Sequence, residues 1–396
     1  MKHARLTAVL SAIAVFIAMF AGCAANSDSP PTPSPATPSS AEATTATAAP
    51  AKTELGIKYA KNFKINYLAD GVKLVTDSDN RTLLLTPKGV TAPAGYDDAV
   101  QVETPVSNSM FTSTTYVGYL GALEDDSVFD SIAAVCTPRE DWTTKQVIDR
   151  FASGKIKYVE QSHWNAGDIE DIVGIRPDLV FSGGGDDAGM QLRALLDEVN
   201  IKYATLMDYT EEGAEANLEW IKFFAAFYNL DEQADRLFNE KIAYLGELEA
   251  KVAETSIDSR PLVAYGLVYD GTVYTQSGSS TLAEQIEKSG GIYALKDLEG
   301  TGSITITMEE FLNKCRNADI VIYGSLPQYC PDKAYLLETE PLFAEFDAFK
   351  NDNIYIFDRG YYMNSAKVIE KYEDQVFMFQ SSLLPEHALT MYQKLS

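Results

Sequence analysis

A chain of 396 residues with 46% apolar content is long enough for two or three folding units, and too apolar to stay disordered over most of its length. Its 57 Asp and Glu against 32 Lys and Arg, a net charge of −25, exclude the dense cationic surface that nucleic acid requires. The same balance argues against attachment to anionic lipid by charge alone.

Lys2 and Arg5 precede an uncharged run from Leu6 to Gly22, a length that suits an export signal better than a spanning helix. The run ends Phe20-Ala21-Gly22-Cys23, which resembles a bacterial lipobox with Phe20 in place of the usual leucine. Residues 1–22 therefore read as a lipoprotein signal peptide and Cys23 as the lipidated residue; an ordinary signal peptide or an uncleaved anchor are the alternatives. A diacylated cysteine would hold the protein on the extracytoplasmic face of the cell membrane. Residues 23–55 read as a tether, with Pro30, Pro31, Pro33, Pro35, Pro38 and Pro50 among Ser, Thr and Ala and almost nothing apolar to bury.

The ordered part begins with a small antiparallel β unit within residues 56–98. Phe63–Leu68 alternates, Asp70-Gly71 turns, Val72–Val75 is a second strand, and Asp79-Asn80 turns into Thr82–Leu85. Residues 99–230 then read as a first α/β lobe. Its strands are Ser131–Val135, Ile156–Val159, Leu179–Ser182 and Tyr203–Met207, with helices at Thr143–Phe151, Asp168–Ile175, Met190–Val199 and Gly213–Tyr228. From Asp231 to about Glu254, Ala234, Leu237, Phe238, Ile242, Leu245, Leu248 and Val252 recur at helical spacing, predicting one long connecting helix within residues 231–256. Residues 257–396 read as a second α/β lobe. Its strands are Leu262–Val268, Ile304–Ile306, Ile320–Tyr323 and Ile354–Phe357, its helices Leu282–Ser289, Met308–Arg316 and Ala366–Ser381.

Catalytic and metal signatures are sparse. Beyond the signal the chain has only His163 and His387, with no H-E-x-x-H and no G-x-S-x-G, and a bare transition metal would want several histidines. Gly183-Gly184-Gly185-Asp186-Asp187 follows a strand and opens a helix, but no Lys-Ser/Thr follows and the two aspartates oppose an anion; it reads as a strand-to-helix turn near a cleft. Cys136, Cys315 and Cys330 show no C-x-x-C spacing, and a Cys315–Cys330 disulfide or three free thiols both fit.

Several segments in order resemble the substrate-binding proteins of ABC importers that take up metal chelates: ferric siderophores, haem and cobalamin. These are Asn165-Ala-Gly-Asp-Ile-Glu170 with Pro177-Asp178-Leu179-Val180, Glu219-Trp220-Ile-Lys-Phe223, Gly290-Gly291, Glu309-Glu-Phe-Leu312 with Ala318-Asp319-Ile-Val-Ile322, and Leu384-Pro-Glu-His-Ala388. The resemblance runs from about Val100 to the C-terminus. It implies an α/β fold of two lobes, each with a central mostly parallel sheet, joined by one long interlobe helix with the ligand cleft between them. It also implies a non-enzymatic monomer that carries no cofactor of its own, with an ABC permease and its ATPase as partners. Glu170 and Glu309 align with the carboxylates that the family uses to dock on the permease.

Cleft residues must come from loops beyond strand ends. On the first-lobe side Tyr116, Trp142, His163, Trp164, Asn165 and Asp186 are the candidates, and on the other Tyr269, Tyr274, Arg359, Tyr361 and Tyr362. Large planar or apolar chelates suit aromatic walls with a few placed polar groups. Catecholate and carboxylate siderophores want several cleft arginines, and only nine, widely spread, remain after the signal. Neutral hydroxamates or cobamides suit few cations, and haem would need an axial ligand and a cation for its propionates. A ferric-siderophore chelate is expected first, a corrinoid or haem second. A surface α/β hydrolase using His163 or His387 as base, or an adhesive lipoprotein, are readings of other classes.

Overall fold

The computed structural model describes residues 56–160 and 169–396. The predicted sites Cys23, His163, Trp164 and Asn165, together with the signal and tether, lie outside the described residues.

Four strands open the fold: β1 (Lys64–Tyr67), β2 (Lys73–Thr76), β3 (Thr82–Pro87) and β4 (Val100–Thr104). The first three are antiparallel neighbours, as their alternation predicts, but β4 pairs with β3 in parallel. The antiparallel unit is thus extended by β4, from residues assigned by sequence to the first lobe, into a mixed four-stranded sheet. Sequence could not reveal this because the long β3–β4 connection carries no hairpin signal.

The first α/β unit comprises β5 (Ser109–Phe111), α1 (Thr114–Ala122), β6 (Ile132–Val135), α2 (Lys145–Ala152), β7 (Lys157–Tyr158), α3 (Ile169–Ile175), β8 (Leu179–Gly183), α4 (Asp187–Glu198), β9 (Tyr203–Leu206) and α5 (Ala214–Tyr228). Its sheet, in the order β7-β6-β5-β8-β9, is parallel throughout. The three-residue central strand β5 and helix α1 were not expected from the sequence.

Helix α5 is apolar on nearly every side and is buried accordingly. Phe63, immediately before β1 of the four-stranded sheet, meets Trp220 and Phe223 at 4.8 and 5.3 Å between ring centroids. On the opposite side Phe181 of β8 meets Phe224 and Phe227 at 5.4 and 5.2 Å. The helix therefore lies between two sheets, and the small sheet is built onto the first lobe rather than standing apart. Glu219 cements that attachment: its fully buried carboxylate accepts backbone N–H groups of Lys58, Tyr59 and Ala60 at 2.7–3.0 Å, with Lys222 3.4 Å away.

Helix α6 (Asp231–Ala253) is unbroken, and of the predicted stripe all but Ile242 are buried. At its start Asp231 accepts from Lys73 (2.6 Å) and Tyr67 (3.1 Å) of the small sheet. Near its end Glu249 pairs with Lys288 of the second lobe at 3.4 Å. The helix bridges the lobes over about 34 Å. Bending it would break packed backbone hydrogen bonds, so only small lobe motions are cheap.

The second lobe follows with β10 (Leu262–Tyr269), β11 (Thr272–Gln276), α7 (Thr281–Lys288), β12 (Ile292–Tyr293), β13 (Ser303–Thr307), α8 (Met308–Cys315), β14 (Ile320–Tyr323), α9 (Lys333–Thr339), α10 (Asp347–Lys350), β15 (Ile354–Phe357), α11 (Val368–Gln380) and β16 (Tyr392–Lys394). Strands β12, β10, β14 and β15 form a parallel centre, flanked by antiparallel β11, β13 and β16. Cys136, Cys315 and Cys330 are buried and unpaired, so no Cys315–Cys330 disulfide forms.

Candidate binding cleft

Parallel strands direct their following loops to one edge, and the carboxyl edges of both sheets face a common cavity of about 1260 Å³. From the first lobe come Thr112–Tyr116 after β5, Cys136 and Thr137 after β6, Gly183–Asp186 after β8 and Met207–Glu212 after β9. Tyr269 at the end of β10, Gly324 and Ser325 after β14, and Arg359, Tyr361, Tyr362 and Met363 after β15 come from the second.

The triple-glycine turn is shaped by its neighbours. A Cβ on Gly185 would lie 1.9 Å from the Tyr209 hydroxyl, and one on Gly184 2.7 Å from Met207 Cγ. Arg193 donates to the carbonyls of Gly183 and Gly184 and pairs with Asp79 at 3.2 Å, so the turn is held from behind. Asp186 caps α4 by accepting from Gly189 N at 2.6 Å. It is a structural cap as well as part of the cavity wall.

Aromatic rings dominate the second-lobe wall. Phe357 stacks on Tyr361 at 4.0 Å, Tyr362 meets Tyr361 edge-on at 5.3 Å, and the Tyr361 and Tyr392 hydroxyls lie 3.3 Å apart. Lys371 Nζ sits 4.3 Å above the Tyr361 ring. Burial lowers the Lys371 ammonium to about 8, against the opposing pull of Glu370 and Asp208. Burial likewise raises Asp208, which accepts from Tyr119 at 3.2 Å, to about 6. The Tyr116, Tyr361 and Tyr362 phenols are pushed well above their ordinary value by burial and stay protonated donors.

Of the residues predicted from sequence, Tyr116, Asp186, Tyr269, Arg359, Tyr361 and Tyr362 line the cavity. Two do not. Trp142 is buried behind the wall with its indole N–H on the Thr137 carbonyl at 3.1 Å. Tyr274, on β11, packs against the second-lobe core. Arg359 lines the cavity and also donates to the Glu140 carbonyl across the cleft. Sequence reasoning missed Tyr209, Tyr265, Tyr323 and Lys371. Tyr323 ends a predicted strand and was findable from the strand-end rule; Lys371 is brought to the cavity only by the packing of α11. His387 lies elsewhere, 2.6 Å from the buried Asp374, where it secures a carboxylate that also accepts the backbone N–H groups of Thr390, Met391 and Tyr392. Glu170 and Glu309 are exposed in the first turns of α3 and α8.

The sequence model described as periplasmic binding protein matches residues 111–360. An uncharacterized lipoprotein of Methanocaldococcus jannaschii is 27% identical over 323 residues, 76% of this chain and 75% of that protein. Among solved structures, the TroA-like periplasmic binding protein FepB from Veillonella parvula superposes with a TM-score of 0.54 at 14% identity, over 82% of this chain and 99% of that one. A possible iron-binding, periplasmic solute-binding protein from Staphylococcus epidermidis gives 0.53 at 16%, over 69% of this chain and 99% of that one.

Proposed function

The chain belongs to the periplasmic binding protein family, the solute-binding components of ABC importers, and on that premise we propose that it captures an iron chelate of the ferric-siderophore type and hands it to a membrane permease. The observation that carries this reading is the cavity between the lobes. About 1260 Å³ walled by ten tyrosines suits a bulky complex rather than a bare ion. Such rings supply large contact area at low entropic cost, and their protonated hydroxyls supply hydrogen bonds.

In this reading Cys23 bears the lipid and residues 23–55 give the domain reach from the extracytoplasmic face; relatives named as lipoproteins support it. Glu170 and Glu309, one exposed carboxylate on each lobe, engage cations on the permease and set the docking register. Binding alone, with no covalent step, is the work of the site. A corrinoid is the second reading, favoured by the same volume and the same scarcity of cleft cations.

A thermal-shift series with ferric siderophores, a cobamide and haem tests the assignment, because a ligand that binds only the folded state raises Tm by mass action. A rise of several degrees with a ferric siderophore is expected. A rise with the cobamide alone would move the assignment to corrinoids, and no rise with any chelate would overturn it.

A further inference from the structure

Resting on the chelate reading, we infer that the cleft selects iron complexes that are uncharged or cationic, of the trihydroxamate kind, and rejects anionic ones such as tricatecholates. The inference comes from the charges around the cavity. Among the described residues seven carboxylates line it against two cations, Arg359 and Lys371.

Each cation is already engaged. Arg359 donates to the Glu140 carbonyl, and its charge falls on neighbouring Asp141. Lys371 rests on the Tyr361 ring in surroundings that disfavour its charged form.

The acids are better spread. Asp141 and Glu340 stand on opposite lobes, and Asp270 is exposed at the end of β10. Glu211 is held by the backbone N–H groups of Lys61 and Asn62 and by the Trp220 indole, and Glu212 pairs with Lys61 at 2.9 Å. Even with Lys61 and Arg193 counted from behind the wall, carboxylates outnumber cations.

Charge bookkeeping on the ligand completes the argument. Three hydroxamates balance the charge of ferric iron, and a pendant protonated amine makes the complex cationic. Three catecholates leave it trianionic. A trianion entering this cavity would meet like charge on both lobes in a medium that screens poorly, whereas neutral and cationic complexes would not. An ammonium arm would also find aromatic faces to rest on.

The test is a fluorescence titration of the full chain with cationic ferrioxamine B, neutral ferrichrome and trianionic ferric enterobactin. The two hydroxamates are expected to bind at least about 100-fold more tightly than the catecholate. Affinity for ferrioxamine B should also fall as salt rises, while that for ferrichrome stays level. In the Asp141→Asn, Glu340→Gln double variant the gap between ferrioxamine B and ferric enterobactin should narrow about tenfold; if that variant fails to fold, the salt series on the unmodified chain decides. Ferric enterobactin binding as tightly as the hydroxamates overturns the charge selection and leaves the chelate assignment standing. Quenching by none of the three overturns both.

Discussion

Met363 of the second lobe places its sulfur 3.3 Å from the backbone nitrogen of Thr143 in the first. The connection from β15 to α11 carries it across the cleft, and Arg359 of the same segment reaches the Glu140 carbonyl. Met363 and Ala366 belong to the first lobe's hydrophobic core although the chain around them belongs to the second. Helix α6 is thus not the only tie between the lobes: the β15–α11 segment is a second one, a clasp beside the cavity.

That clasp depends on Gly118 in α1, where a Cβ would lie 2.3 Å from the Met363 carbonyl oxygen. Backbone cannot yield as a side-chain tip can, so Gly118→Ala should push the segment off the first lobe. The expected cost is about 1–3 kcal/mol in denaturant unfolding, together with weaker chelate binding because Tyr361 and Tyr362 move with the clasp. Unchanged stability and affinity would show that the segment docks elsewhere in solution.

Glu219 is the second point of leverage. Its carboxylate satisfies three backbone N–H groups and faces Lys222 in the interior. Glu219→Ala would leave those N–H groups without their acceptor, while Lys222 keeps Asp235 at 3.0 Å, at a cost of about 1–3 kcal/mol. The small sheet should loosen first, exposing Trp220, so a red shift of tryptophan emission at subdenaturing urea is the measurement. A full-stability variant would mean that the apolar contacts of Phe63 suffice.

Asp208 makes stability depend on pH with a definite sign. Its folded value, about 6, lies above the ordinary 3.8 because burial penalises the charge. The folded state therefore holds more protons than the unfolded one between about pH 4 and 6, and stability falls as pH rises through that window. Asp208→Asn should gain about 1–3 kcal/mol above pH 6 and nothing below pH 4, the gain reduced by the lost attraction to Lys371. Parallel stability curves for the two proteins across pH 4–7 would contradict this.

The proposed docking carboxylates separate binding from delivery. Glu170→Ala with Glu309→Ala should leave chelate affinity unchanged and lower uptake through the cognate importer at least about tenfold. Loss of affinity, or uptake that persists undiminished, would place docking on other residues.

The segment Glu219-Trp220-Ile-Lys-Phe223 carried the family resemblance, but nothing in it announced that Glu219 and Trp220 also hold the N-terminal sheet on α5. Conversely, the triple-glycine turn, read as a strand-to-helix turn near a cleft, is that in the structure, because the constraint is local.

Local order was available from the chain itself: the strand–helix alternation of both lobes and the unbroken stripe from Ala234 to Val252 follow from periodicities of two and 3.6. What folding in three dimensions decided was which edges meet. Strand β5, at the centre of its sheet, is too short to show any period, and β4 reveals its partner only by pairing in parallel with β3. The cavity contacts of Tyr209 and Lys371 exist because loops and a helix far apart in sequence converge on one space. Pairing and convergence are non-local, and their energy resides in contacts that no single segment of sequence contains.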